Sequence, residues 1–93
     1  MKINVQCFGQ VRLITKEAIV SIEVPDKISI IKTLDIFVQS FGKEMEKILY
    51  SEGKLRNFYF IQVDKKNVEH DELGNYILED AQTISIIPFV AGG

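Results

Sequence analysis

The residues best placed to do chemistry stand at the end of the chain. The strand-like run Thr83-Ile84-Ser85-Ile86-Ile87 leads into Pro88-Phe89-Val90-Ala91-Gly92-Gly93. Two glycines leave a terminal carboxylate on backbone with no side chains beside it. Glycine loses more conformational freedom on ordering than any other residue, so a fold gains nothing from two unpacked ones. The ending therefore reads as flexible, thin and open to attack. Full burial of an apolar side chain such as Phe89 or Val90 is worth roughly 1.5–3 kcal/mol, so exposing both invites a partner surface. Termini also fray by default, and the rest of the chain has to be searched for a rival site.

The search finds little. Cys7 is the single cysteine. It shares the parity of Ile3 and Val5, which places it in the core, away from the base or positive charge that a reactive thiol needs. His70 is the single histidine and reads as a surface-loop residue in a polar, acidic segment without nitrogen or sulfur partners for a metal. Gly42-Lys43 looks like the close of a phosphate-binding loop, but Phe37 stands where the earlier glycine belongs, and a helix precedes the pair. It reads as a helix cap. From Asn67 onward there is no Lys or Arg, only Glu69, Asp71, Glu72, Glu79 and Asp80. These are solvated loops or an acidic surface near the tail that steers the chain to a basic partner.

Composition bounds the classes. Ninety-three residues with 46% hydrophobic and 26% charged content make one globular domain with a modest core. A net charge of −2 speaks against a general nucleic-acid binder. No apolar run approaches a membrane span, and the N-terminus lacks the pattern of a signal peptide. One cysteine excludes an internal disulfide and fits a reducing, cytoplasmic setting.

The elements that must position the tail follow from periodicity. Lys2 to Phe8 alternates as a strand, a connection of several residues follows Gly9, and Ile19 to Val24 alternates as a second strand. Sequence neighbours of this kind pair most simply as a hairpin. Ser29 is a plausible N-cap for a helix carrying Ile30, Leu34, Phe37, Val38 and Phe41 on one face, closed by Gly42. Lys43 to Tyr50 is a shorter helical piece, and 51–54 a loop. Asn57 to Asp64 is apolar on both parities, the sign of a central strand with little exposure on either face. Lys65-Lys66-Asn67 is a turn, 69–76 is irregular, and Gln82 to Ile87 is the last strand. This order predicts an α+β roll of the β-grasp (ubiquitin-like) kind. It has a mixed sheet of four to five strands and one main helix, and in that fold class, whatever the residues, the first and last strands lie parallel in the middle. Residues 1–87 form the domain and residues 88–93 a flexible C-terminal Gly-Gly tail.

The sequence resembles the ubiquitin-like sulfur carriers, most of all the small subunit of molybdopterin synthase (the MoaD group), with the thiamine sulfur carrier (the ThiS group) as a relative. The resemblance rests on three stretches: Val5-Gln6-Cys7-Phe8-Gly9 with Arg12; Leu78-Glu79-Asp80 with the last strand; and Phe89-Val90-Ala91-Gly92-Gly93. It departs at Phe89, where a second proline is usual, at Ala81-Gln82, where Gly-Asp is common, and at Val63-Asp64-Lys65, where Val-Asn-Gly is usual. Extra length lies around Lys43 to Leu55.

The resemblance implies that Gly93 is the reacting residue. Its carboxylate is adenylated by an E1-like activating enzyme using ATP, and a sulfur donor protein then converts it to a thiocarboxylate. Gly92 gives access, Phe89, Val90 and Ala91 contact partners, and the tail inserts into the large subunit of molybdopterin synthase. The chain would then be no enzyme by itself and would bind no cofactor or metal. The alternatives are a ubiquitin-like protein modifier, a thiamine- or tRNA-type sulfur carrier, and a non-covalent β-grasp interaction module.

Overall fold

Ile3, Val5 and Cys7 alternate with Asn4 and Gln6, and the backbone follows that period. Strand β1 spans Lys2–Cys7 and buries the first three. The computed structural model describes residues 1–89. Strand β2 (Ile19–Glu23) pairs antiparallel with β1, Val20 opposite Val5. Between them lies helix α1 (Gly9–Thr15), where the sequence predicted a plain connection. Only Val11 of its seven residues is buried, so no apolar stripe marks it. It stops at Lys16, whose φ of 64° is left-handed and whose N–H donates to the Arg12 carbonyl at 2.7 Å.

Helix α2 (Ile30–Phe41) starts as the sequence predicts. The Ser29 hydroxyl accepts from the Lys32 N–H at 3.2 Å, which supplies one of the unpaired donors of the first turn. Ile30, Leu34, Phe37 and Val38 enter the core. At Gly42, with φ 89°, the chain turns directly into α3 (Lys43–Leu49), which buries Met45 and Leu49. The predicted loop over 51–54 is a small hairpin, β3 (Tyr50–Ser51) with β4 (Lys54–Leu55).

Strands β5 (Tyr59–Val63), β6 (Lys66–Val68) and β7 (Thr83–Pro88) complete the main sheet. Its order is β2-β1-β7-β5-β6, with β1 and β7 parallel at the centre. This is the predicted α+β β-grasp fold with a five-stranded sheet: α2 is the main helix, α3 is the predicted shorter piece, and α1 is additional. A 3-10 turn, His70–Glu72, orders part of the stretch predicted to be irregular.

Two further expectations are corrected. The turn after β5 is Asp64-Lys65, with φ of 49° and 72°, not Lys65-Lys66-Asn67. Two left-handed residues match the twist of a two-residue hairpin. The Asp64 carboxylate ties that turn to β7 by accepting from the Thr83 N–H at 3.0 Å. Strand β5 is not shielded on both faces: Tyr59, Ile61 and Val63 are buried, but Phe60 is 49% exposed. The helices cover one face of the sheet and leave the other to solvent.

Ala81 has a φ of 69°, and its N–H donates to the Lys2 carbonyl at 2.8 Å. A left-handed L-residue is strained, and glycine is not. Ala81→Gly should therefore raise stability by up to about 1 kcal/mol in urea unfolding.

Alkaline pH should do the opposite. Burial raises the Cys7 and Tyr59 protons above 9.0 and 10.0. Burial also raises Tyr50, reinforced by its hydrogen bond to Asp35 at 2.6 Å. The unfolded chain releases these protons first as pH rises. Stability contributed by the protonated groups is then intact below about pH 9 and declines above it, a fall that urea midpoints between pH 8 and 11 would read.

Candidate functional site

Because β1 and β7 are parallel, both run toward the end of the sheet where the tail leaves. Pro88 lies opposite Tyr59. Proline cannot donate to a ladder, yet the chain is held one residue further: the Phe89 N–H donates to the Phe58 carbonyl at 2.7 Å. Of the predicted site residues, Phe89 is placed by the structure. Val90, Ala91, Gly92 and Gly93 lie outside the described residues.

The solvent face of the sheet is divided along the strands. At the far end its side chains satisfy one another. Ser21 donates to Asn4 at 2.8 Å, Ser85 to Gln6 at 2.9 Å, and Gln62 to Asn67 at 2.9 Å. Toward the tail the same face turns apolar. Ile87 pairs with Phe60, and the rings of Phe60 and Phe89 meet edge to face with centroids 5.8 Å apart. Phe58 and Phe89 are 46% and 56% exposed. The Phe58 ring lies against Tyr59 with centroids 4.6 Å apart, so the rings that meet on the open face are Phe60 and Phe89, an exposed aromatic pair with geometry suited to a partner.

Phe58 and Phe60 are the residues that sequence reasoning missed as site residues, because apolar character on both parities read as core. The available signal was the helix count, since one helical layer covers only one face of a sheet.

Cys7 is 1% exposed, as its parity predicts. Burial raises its thiol, outweighing a hydrogen bond from Thr15 and the nearby Arg12 charge, so it stays a protonated core residue. His70 is half-buried, not a plain surface histidine. Its Nε2 lies 2.7 Å from the Tyr59 carbonyl, while the Tyr59 N–H donates to the Arg56 carbonyl at 3.2 Å. These two bonds close the edge of β5 where the shorter β6 has ended, which blocks pairing with another chain.

The acidic residues do not form one surface near the tail. Glu69 follows β6 beside Phe60. Asp80 caps the Lys2 N–H at 2.9 Å, at the far end of the sheet. Among the described residues, no group of three or more His, Cys, Asp or Glu could hold a metal ion, and no helix is long and apolar enough to cross a membrane.

A ubiquitin-like β-grasp domain whose last strand brings Phe89 against an exposed Phe60 is the class that fold and site define. The ThiS family model matches residues 5–93, and the chain belongs to that family of ubiquitin-like sulfur carriers. It is 34% identical over 68 residues to a protein of Archaeoglobus fulgidus named as a sulfur carrier, covering 73% of this chain and 77% of that one. Subunit 1 or 2 in the complex of the molybdopterin-converting factor from Helicobacter pylori is 27% identical, with a TM-score of 0.60 and all of both chains covered. SAMP1 from Haloferax volcanii superposes with a TM-score of 0.86 over all of both chains at 16% identity, a likeness of fold.

The two faces of β5 should respond unequally to the same substitution. Phe60→Ser should leave unfolding free energy within about 1 kcal/mol. Ile61→Ser, one residue on and buried, should cost about 3 kcal/mol or more. Paired urea titrations check this.

Proposed function

We propose that this chain is a sulfur carrier whose reacting group is the Gly93 carboxylate, and that it serves molybdopterin biosynthesis as the small subunit of molybdopterin synthase. The observation that carries the reading is that β7 leads into Phe89 beside the exposed Phe60 ring in a member of a sulfur carrier family. The molybdopterin branch is supported by the likeness to the Helicobacter pylori complex over the whole of both chains.

The chemistry divides between the carrier and its partners. A carboxylate is a poor electrophile. In an E1-like activating enzyme its oxygen attacks the α-phosphorus of ATP, pyrophosphate leaves, and an acyl adenylate forms. Hydrosulfide supplied by the donor protein then attacks the carbonyl carbon, AMP departs, and the thiocarboxylate remains on Gly93. The chain supplies the carbon and a handle. The partners supply the catalytic groups, and the chain binds no cofactor. Residues 1–87 are the handle and 88–93 the tail, acting in a cytoplasmic setting.

Four residues follow Phe89, and fully extended they span at most about 14 Å. A partner that reacts with Gly93 is therefore brought within reach of Phe60 and Phe89 as well. Burying this pair contributes affinity, while Val90, Ala91 and Gly92 thread the approach to the reacting centre.

Thiocarboxylated chain mixed with the large synthase subunit should form a complex and pass sulfur to the pterin precursor. Phe60→Ser should weaken that complex about tenfold or more. Absence of both complex and transfer would remove the molybdopterin branch. Isopeptide adducts on lysines of other proteins, lost on deleting Gly93, would favour the protein-modifier reading. Gly92→Val should abolish thiocarboxylate formation, since a branched side chain beside the reacting carbon obstructs a narrow channel. Intact mass after incubation with activating enzyme, ATP and sulfur donor checks it.

A further inference from the structure

Gly9 opens α1 with a left-handed φ of +56°, and a Cβ built there would lie 3.3 Å from Cγ of Pro88. The first turn of a helix that sequence periodicity did not reveal thus rests on the residue from which the tail departs. Pro88 has little freedom to yield. Its own ring fixes φ, its backbone is paired opposite Tyr59, and the next residue is bonded to Phe58 and packed on Phe60. A Cβ at position 9 would require the Pro88 ring or the start of α1 to give by a few tenths of an ångström, and Phe89 is the next residue to feel that shift.

We infer that Gly9 is a positioning residue for the tail: lacking a side chain, it lets α1 close on Pro88 from the β1 side while Phe58 and Phe60 hold Phe89 from the β5 side. The clasp fixes the point and direction of departure, and so where Gly93 can reach. This deepens the sulfur-carrier reading and rests on it for its functional consequence. The alternative role for Gly9 is confined to its own backbone, where a left-handed φ favours glycine whatever lies opposite. The two roles separate when Pro88 is trimmed.

Amide hydrogen exchange on the full chain reads the clasp directly, at the Phe89 amide against Ile84 within the sheet. Gly9→Ala should speed exchange at Phe89 about tenfold or more and leave Ile84 unchanged. In a Pro88→Ala background, which removes Cγ, adding Gly9→Ala should produce no further acceleration at Phe89. Equal acceleration in both backgrounds would assign Gly9 to its backbone angle alone and overturn the inference. So would unchanged exchange at Phe89, or an equal increase at Ile84. With the activating enzyme, ATP and sulfur donor, Gly9→Ala should slow thiocarboxylate formation, and restoring the Phe89 exchange rate in the Pro88→Ala background should restore it in part. If the unaltered chain gains no sulfur, the sulfur-carrier reading fails, while the exchange result still decides the role of Gly9.

Discussion

The parallel pairing of β1 with β7 is the contact on which the other features depend. Asn4 faces Thr83, and Cys7 faces Ile86, so the two ends of the chain meet at the centre of the sheet. A pairing this distant in sequence has to offset a long loop closure. It does so by placing Val5, Ile84 and Ile86, all fully buried, over the helical layer. The same pairing sets the direction of β7, and therefore the end of the sheet at which the tail leaves. A last strand at the sheet edge would have one neighbour and a frayed end. In the centre it has two, and the chain is still hydrogen-bonded at Phe89.

The two faces of the sheet do different work. Helices α2 and α3 cover one and supply the core. The other is left open, and its far half is quieted by side-chain pairs such as Ser85 with Gln6. Three phenylalanines at the tail end stand outside that arrangement. At roughly 25 cal/mol per Å² their exposure forgoes stability that burial would give, and their contacts with Tyr59 and with one another leave about half of each ring open.

The sequence made much of this legible. Alternation in β1 placed Cys7 in the core, and the Ser29-to-Gly42 signals bounded α2. The β-grasp order followed from the hairpin and helix, but the central parallel pairing came from knowledge of the fold class, since no residue pattern encodes it. Helix α1 was hidden because one buried residue, Val11, cannot make a periodic stripe. The turn at Asp64-Lys65 was displaced by one residue because its left-handed conformation is held by a distant partner, Thr83, instead of by glycine. His70 looked like a loop residue because its partner is a backbone carbonyl, which leaves no trace in sequence. The aromatic cluster was visible as residues but not as a surface, since period-two patterns do not say which face is covered.

The account makes the folded domain a handle and places the reacting carbon on Gly93, so the most direct measurement is the intact mass of the chain recovered from its own cells. A population heavier by one sulfur exchanged for one oxygen, localised by fragmentation to Gly93, is the predicted result. A chain found only with an unmodified carboxylate there, while its sulfur pathway is active, would contradict it.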